Sequence, residues 1–221
     1  MIEKIRILSV AICLVLLVTC IHAEPDKYVA FTFDDGPHEV YTRKILNILE
    51  RYNAHVTFFV VGKMAEKYPE LVKEEFEKEH EIGNHTYSHD KMDGLSKARV
   101  SEELEKTGDI VENITGVRPV LFRPPRGRCS DNLMRMASQL GYQTVLWTVY
   151  PADSGHPPAE YIYSKVTKLV RSGSIVLLHD GITSTNEALP HILDTLQSQG
   201  YKFVTVSELL ATKASYATSG Y

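Results

Sequence analysis

The chain has 221 residues, of which 43% are hydrophobic and 24% are charged, and its formal net charge at pH 7 is −4. This length and composition are typical of one globular domain, which at this size buries enough apolar surface to fold without disulfides. The slightly acidic balance, with no block of like charges, excludes the basic surface that is typical of a nucleic-acid-binding protein.

The first residues differ in character from the rest of the chain. Lys4 and Arg6 precede an apolar run, and Ala23 stands at a suitable cleavage position. This order is typical of a secretory signal peptide, which we predict over residues 1–23. An uncleaved membrane anchor and lipid attachment at Cys20 are the alternatives. Cleavage would give a secreted or cell-envelope protein with no membrane contact.

From residue 28 onward, segments with strand periodicity alternate with segments of helical periodicity. In chain order we predict strand 28–33, helix 41–52, strand 55–61, helix 69–80, strand 81–82, helix 96–114, strand 120–122, helix 130–140, strand 142–149, helix 158–171, strand 174–178, helix 185–199 and strand 201–205, before a short last helix. This alternation predicts a parallel sheet with helices outside it. With about seven units, we expect a single barrel domain over residues 24–212 and a flexible tail over residues 213–221.

Acidic, histidine and arginine residues directly follow several predicted strands. They are Asp34 and Asp35 after the first strand, His85 and His89 after the third, Arg123 after the fourth, Asp153 after the fifth, and His179 and Asp180 after the sixth. In parallel α/β folds, active-site residues lie at the carboxyl ends of the strands. This convergence predicts one active site at that face of the barrel.

His85 and His89 have the spacing at which two imidazoles on one helical turn bind a metal ion. Such a pair alone is more often a surface pair. An aspartate from elsewhere would complete three protein ligands and leave positions for water and substrate, as in catalytic sites. Nitrogen and carboxylate ligands suit zinc, and cobalt, nickel and manganese are alternatives. We therefore expect one divalent ion.

Asp34 and Asp35 stand side by side before Gly36 and Pro37. In the simpler interpretation the four residues only form a turn, since Asp, Gly and Pro favour turns. In the catalytic interpretation, one carboxylate binds the metal and the other accepts a proton from a water that the metal activates.

Four motifs, in this order, resemble those of the polysaccharide deacetylases, also called the NodB-homology group or carbohydrate esterase family four. They are TFDDGP at 32–37, HTYSH at 85–89, RPPRG at 123–127 and LLHD at 177–180. The resemblance runs over residues 28–210 and implies a distorted (β/α) barrel with a groove across its top. It also implies a hydrolase that removes N-acetyl groups from amino-sugar polymers, either peptidoglycan or chitin-type oligosaccharides. We expect the protein to be a monomer.

The resemblance implies a role for each motif residue. The implied metal ligands are Asp35, His85 and His89. The implied catalytic residues are the base Asp34, its partner Arg123, the general acid His179, and Asp153, which orients His179. The implied oxyanion and groove residues are Arg126, through its backbone N–H, with Pro125, Trp147 and Leu177. In this arrangement a cationic neighbour keeps Asp34 ionised, and an anionic neighbour keeps His179 protonated near neutrality.

Three positions depart from the family pattern. Arg126 stands where many relatives have an aromatic residue, and this resembles the branch that acts on the muramic acid of peptidoglycan. Tyr150 and Ser154 stand where the family often has Asp and Trp. These departures affect the groove walls, so they bear on substrate choice more than on the reaction. We expect Arg126 to meet a substrate carboxylate or to pair with an acidic residue at the rim.

Two other functions fit part of the pattern. A non-catalytic glycan-binding domain would keep the fold without turnover, although the chain retains both aspartates, both histidines, Arg123 and His179. A metal phosphoesterase would also use Asp and His. That class usually needs ligands for two ions, and the sequence offers no obvious second set.

Overall fold

The computed structural model describes residues 26–218 of the chain. These residues form seven strands: β1 (Lys27–Asp34), β2 (Thr57–Val60), β3 (Glu81–Asn84), β4 (Leu121–Phe122), β5 (Gln143–Thr144), β6 (Ser174–His179) and β7 (Tyr201–Phe203). They also form eight α-helices: α1 (Tyr41–Arg51), α2 (Gly62–Lys67), α3 (Pro69–Glu77), α4 (Lys97–Thr115), α5 (Asp131–Gln139), α6 (Ala159–Leu169), α7 (Thr183–Ser198) and α8 (Val206–Thr218). Short 3₁₀ turns cover Pro125–Gly127 and Asp153–Gly155.

The strands form one parallel sheet in the order β5-β4-β3-β2-β1-β6, and β7 pairs with the start of β1. The sheet curls, and the helices lie along its outer face. Between β5 and β6, the described residues show a single bridge that joins Val149 to Val176. The predicted distorted (β/α) barrel is confirmed, and this seam is where it is most distorted.

Strand β1 shows how the sequence sets the two faces of the sheet. Val29, Phe31 and Phe33 belong to the main hydrophobic core, together with apolar residues of α1 and α7. The alternate residues, of which Ala30 and Asp34 are examples, face the barrel interior, because successive side chains of a strand point to opposite sides. The last inward position of β1 therefore carries a carboxylate into the barrel mouth.

Strand register brings the polar segments to one face. Asp34 is paired with His179 between β1 and β6, and with Phe59 between β1 and β2. Asn84 is paired with Phe122 between β3 and β4. Residues 85 and 123, which follow that pair, are therefore neighbours at the same carboxyl-terminal edge.

Helix α4 begins and ends where its sequence signals predict. The Ser96 hydroxyl accepts a hydrogen bond from the Arg99 N–H, and Gly116 ends the helix with a left-handed φ of 78°. Glycine is favoured at such an end because it has no Cβ to oppose this conformation. Helix α2, by contrast, was not predicted, since it has only 6 residues and no side-chain cap.

The predicted strand 142–149 is wrong in extent, because only Gln143–Thr144 forms β5. The carbonyls of Val145 and Leu146 accept hydrogen bonds from the Arg123 side chain, from Nε at 3.2 Å and from Nη2 at 3.1 Å. The partner strand β4 ends at Phe122, and Pro124 after it has no N–H with which to continue the ladder, so the segment leaves the regular sheet at this point.

Both ends of the chain carry predictions that the structure leaves open. The predicted signal peptide over residues 1–23 lies outside the described residues and stays a prediction. At the other end, α8 continues to Thr218, so the predicted tail begins with helical backbone. Among residues 26–218, no helix combines the length and the apolar character that crossing a bilayer requires.

Candidate active site

A cavity of about 340 Å³ opens at the carboxyl ends of the strands. It is lined by Asp34, Asp35, His85, His89, Arg126, Gly127, Trp147, Tyr150, Ser154, Leu177 and His179. A larger cavity of about 480 Å³ lies between α6 and α7, but it contains none of the residues that the motifs mark. The smaller cavity is the candidate active site because it combines acids, bases and an apolar wall.

Asp35, His85 and His89 each direct one ligand atom to a common point. The three atoms lie within 4.8 Å of one another. Asp35 Oδ1 is 3.4 Å from His85 Nε2 and 3.1 Å from His89 Nε2, yet it is buried with no hydrogen-bond partner among the described residues. A buried carboxylate oxygen of this kind beside two imidazole nitrogens fits a divalent metal ion, which needs deprotonated ligands.

The backbone fixes the orientation of one imidazole. His85 Nδ1 lies 2.7 Å from the carbonyl oxygen of Arg123. A carbonyl only accepts hydrogen bonds, so Nδ1 carries a proton, and in the neutral ring the lone pair is on Nε2, which faces the common point. Metal-binding histidines commonly have a partner of this kind on the other ring nitrogen.

The same imidazoles set the ionisation of Asp35. Burial raises the pKa of a carboxyl group, but the two imidazoles outweigh burial here and hold the pKa of Asp35 well below its usual range. Asp35 in turn raises the pKa of His89 above the ordinary histidine value. The carboxylate is therefore ionised, as a metal ligand must be.

Asp34 lies beside these three residues and forms an ion pair with Arg123. Its Oδ1 accepts a hydrogen bond from Arg123 Nη1 at 2.8 Å, and its Oδ2 lies 3.7 Å from His85 Nε2. The Arg123 side chain is fully buried and also donates to the Thr32 hydroxyl at 2.6 Å. One carboxylate oxygen is thus engaged by the guanidinium, while the other faces the metal ligands.

His179 is held by Asp153, which is fully buried. Asp153 Oδ1 is 2.7 Å from His179 Nδ1, and its Oδ2 accepts hydrogen bonds from the His179 N–H at 2.7 Å and the Thr185 hydroxyl at 2.8 Å. Burial lowers the pKa of His179, but Asp153, together with Asp34 and Asp35, outweighs burial and raises the pKa above the ordinary value. The ring therefore keeps its second proton closer to neutral pH, on the nitrogen that Asp153 leaves free.

Left-handed backbone conformations are concentrated in this region. Asp35, Thr86, His89, Arg126 and Ala152 all have φ between 61° and 75°. This conformation costs residues other than glycine about 1–2 kcal/mol each. Such strain persists where the surrounding structure enforces it, and it is typical of functional sites.

The groove walls contain most of the residues that the resemblance implied. Trp147 and Leu177 line the cavity, whereas Pro125 is buried and is not among the lining residues. Gly127 lies against the Trp147 ring, so a Cβ at Gly127 would come within 2.3 Å of a ring carbon. The Gly127 backbone thus allows the indole to lie where it does.

Arg126 and Tyr150 occupy the open side of the groove. Arg126 is exposed and forms no ion pair with any residue that the structure describes, so the expected pairing with a rim acid is not observed. The Tyr150 hydroxyl lies 2.9 Å from Ser154 Oγ, and its ring centroid lies 6.4 Å from that of His179. Tyr150 therefore forms a wall beside the predicted acid.

Three supporting residues were missed by the sequence analysis. Thr185 binds Asp153, and Asn84 and Glu103 bind the loop that carries the two histidines. Glu103 had a detectable signal, because it lies next to Leu104 on the apolar face of α4, where a carboxylate needs a partner. The other two are ordinary polar residues whose contacts depend on the folded chain.

Comparison with known proteins agrees with this geometry. The family model for polysaccharide deacetylases matches residues 22–145. A peptidoglycan-N-acetylglucosamine deacetylase of Bacillus cereus is 42% identical over 193 residues, covering 85% of this chain and 90% of the relative. The peptidoglycan-N-acetylmuramic acid deacetylase PdaC of Bacillus subtilis is 37% identical over 187 residues, covering 85% of this chain but 39% of the relative.

Solved structures show the same relationship. A structure of peptidoglycan deacetylase PdaC from Bacillus subtilis aligns with a TM-score of 0.84 at 36% identity, covering 88% of this chain and 95% of that one. A CE4 family pseudoenzyme from Bacillus anthracis aligns with a TM-score of 0.80 at 31% identity, covering 84% of this chain and 66% of that one. The chain therefore belongs to the polysaccharide deacetylase family of carbon–nitrogen bond hydrolases.

Proposed function

We propose that the protein is a secreted, metal-dependent enzyme that removes N-acetyl groups from the amino sugars of peptidoglycan. The observation that carries this proposal is that Asp34, the Asp35–His85–His89 group and His179 all line one cavity. Amide hydrolysis needs an activated water, stabilisation of charge on the carbonyl oxygen and a proton for the departing nitrogen. The cavity offers a residue for each need.

The base and the acid are distinguished by their partners. Asp34 is placed to accept the proton of the attacking water, because Arg123 engages Oδ1 and leaves Oδ2 towards the metal ligands. His179 is placed to donate a proton from Nε2 to the sugar nitrogen, because Asp153 occupies Nδ1. The proton that His179 donates would complete the free amine.

Asp35, His85 and His89 would hold the metal, which we propose to be zinc. When bound, a divalent ion would supply the Lewis acid that activates water and polarises the acetyl carbonyl. The backbone N–H of Arg126 is proposed to contribute to the oxyanion site. These roles leave Arg123 and Asp153 as partners of the base and the acid.

The two competing functions fit the structure less well. The pseudoenzyme relative shows that this fold exists without activity, but the present chain keeps Asp34 and His179 in one cavity, with their buried partners Arg123 and Asp153 behind them. A two-metal phosphoesterase needs a second ligand set. Within the described residues, Asp35, His85 and His89 are the only group of three or more potential ligands that could hold an ion.

Arg126 favours peptidoglycan over neutral chitin-type chains. It is an exposed cation at the groove without a protein counter-ion among the described residues, and peptidoglycan carries lactyl and peptide carboxylates. Arginine suits such groups because its planar fork binds a carboxylate through two hydrogen bonds. A substrate in the cell wall also agrees with export, and N-terminal sequencing of an exported form should then start near Glu24.

Acetate release tests this proposal directly. The zinc-loaded protein should release acetate from peptidoglycan fragments with a higher kcat/KM than from chitooligosaccharides of similar length, and it should not hydrolyse a phosphate ester. Acetate would be quantified enzymatically for both substrates in parallel. Phosphate release without acetate release would contradict the proposal, and binding of both glycans without turnover would favour the non-catalytic alternative.

Arg126→Tyr tests the basis of that preference. We expect kcat/KM on peptidoglycan fragments to fall by up to about fivefold, since an exposed ion pair contributes about 0.2–1 kcal/mol, whereas chitooligosaccharides are spared. Arg128→Tyr is the matched control, because Arg128 is exposed on the same loop but does not line the cavity. Equal losses on both substrates would indicate a disturbed oxyanion site instead of a lost carboxylate contact.

A further inference from the structure

The loop between the two histidines is held by side chains. The N–H of Thr86 donates to Asn84 Oδ1 at 2.9 Å, and the N–H of His89 donates to the Thr86 hydroxyl at 3.1 Å. Thr86 and His89 are also the two loop residues with left-handed backbone. A strained loop of this kind needs an external partner for its remaining N–H groups.

Glu103 of α4 is that partner. Its Oε2 accepts the N–H groups of Tyr87 at 2.9 Å and Ser88 at 2.8 Å, and its Oε1 accepts the Ser88 hydroxyl at 2.9 Å. Glu103 is 3% exposed, and its nearest cation is Arg99 at 3.5 Å, whose own side chain is about half exposed. The Glu103 carboxylate therefore accepts its hydrogen bonds from the loop, and its negative charge strengthens them.

The opposite side of the loop is fixed by backbone. The N–H groups of Gly62 and Lys63 in α2 donate to the carbonyls of Thr86 at 2.8 Å and Tyr87 at 3.0 Å. Gly62 permits this close approach, since a Cβ there would lie 2.8 Å from the Tyr87 ring. Helices α2 and α4 thus hold the loop from two sides through hydrogen bonds, and Glu103 provides the charged group among these contacts.

We propose that Glu103 is a positioning residue for the metal centre, which holds the 85–89 loop so that both imidazoles meet Asp35. Loss of its carboxylate would leave the N–H groups of Tyr87 and Ser88 and the hydroxyl hydrogen of Ser88 without this acceptor. The loop would then be free to leave its left-handed conformation, and the His89 ring would no longer be held at the common point. The inference rests on the metal dependence in the proposed function, but it concerns binding of the ion and not turnover.

Metal affinity of the Glu103 variants tests this role. For Glu103→Ala we expect the affinity for Zn²⁺ or Co²⁺ alone to fall about 10–100-fold, the usual cost of losing a group that orients a metal ligand. Competition with a chromophoric chelator would measure the affinity, and the visible absorption of the Co²⁺ form would report the coordination geometry. Glu103→Gln should restore most of the affinity, because its amide oxygen can accept both N–H groups.

Glu102→Ala is the matched control, since Glu102 is an exposed neighbour on α4 that pairs with Arg99. It should leave both affinity and spectrum unchanged. Wild-type affinity and spectrum in Glu103→Ala would overturn the proposal. If that variant does not fold, Glu103→Asp takes its place, and a shortened carboxylate with undiminished affinity would overturn the proposal equally.

Measuring metal binding and acetate release separately distinguishes failure of the positioning role from failure of the proposed function. A wild-type protein that binds Co²⁺ but releases no acetate would refute the deacetylase proposal and leave the Glu103 result intact. An active wild type whose Glu103→Ala variant binds metal normally would refute the positioning role alone.

Discussion

Asp34→Asn is expected to lower kcat for acetate release by about 10²–10⁴-fold, the range for loss of one general base. The metal ligands Asp35, His85 and His89 remain, so the affinity for the ion should stay close to that of the wild type. Metal content and acetate release, measured on the same preparation, would show this separation. A variant that retains more than about a tenth of the wild-type kcat would exclude Asp34 as the base.

The same substitution has a cost in stability that the experiment must separate from catalysis. Asparagine still accepts a hydrogen bond, but the buried Arg123 guanidinium loses its anionic partner. Breaking a buried pair typically costs about 3–5 kcal/mol, so the unfolding temperature should fall. Kinetics should therefore be measured at a temperature at which circular dichroism shows that the variant is folded. Asp109→Asn, at an exposed position of α4, provides a control that should change neither property.

His85→Ala is expected to abolish acetate release together with metal binding. The substitution removes one of three ligands and also the link from Nδ1 to the Arg123 carbonyl. Chelator treatment of the wild type should have the same effect, with the difference that added zinc restores the wild type but not the variant. Metal content and acetate release are the two measurements.

His191→Ala is the control for this prediction. His191 is an exposed histidine of α7 that lines the cavity between α6 and α7, away from the strand ends. Its replacement should leave metal content and activity unchanged. Full activity in a chelated, metal-free wild type would refute metal dependence and, with it, the assignment of the three ligands.

The sequence predicted those parts of the molecule that depend on local pattern. The alternation of strands and helices gave the barrel, and the position of Asp34 and His179 at the ends of apolar runs predicted that both lie at one face. The register of β1 with β6 pairs these two residues directly. Local signals also fixed both ends of α4, through Ser96 and Gly116.

The features that escaped prediction depend on contacts distant along the chain. The interruption of β5 arises because its partner strand β4 ends at Phe122 before Pro124, while Arg123 binds the carbonyls of residues 145 and 146, and no pattern within 142–149 indicates it. The role of Glu103 depends on its hydrogen bond with the N–H of Ser88, which lies 15 residues earlier in the chain. That Arg126 has no ion pair within residues 26–218 is a property of the folded rim, so the two alternatives for that side chain could not be separated from the sequence.

Arg123 has a consequence for how this enzyme can be altered. Its guanidinium binds the carboxylate of Asp34, the hydroxyl of Thr32 and the carbonyls of Val145 and Leu146, next to the Val149–Val176 bridge. One side chain therefore sets the environment of Asp34 and also ties the segment after β5 to the rest of the sheet. A substitution of Arg123 that is selected to shift the pH optimum is therefore expected to destabilise the fold as well. Adjustable positions lie instead around His179, where Tyr150 and Ser154 are exposed and can change without loosening the barrel.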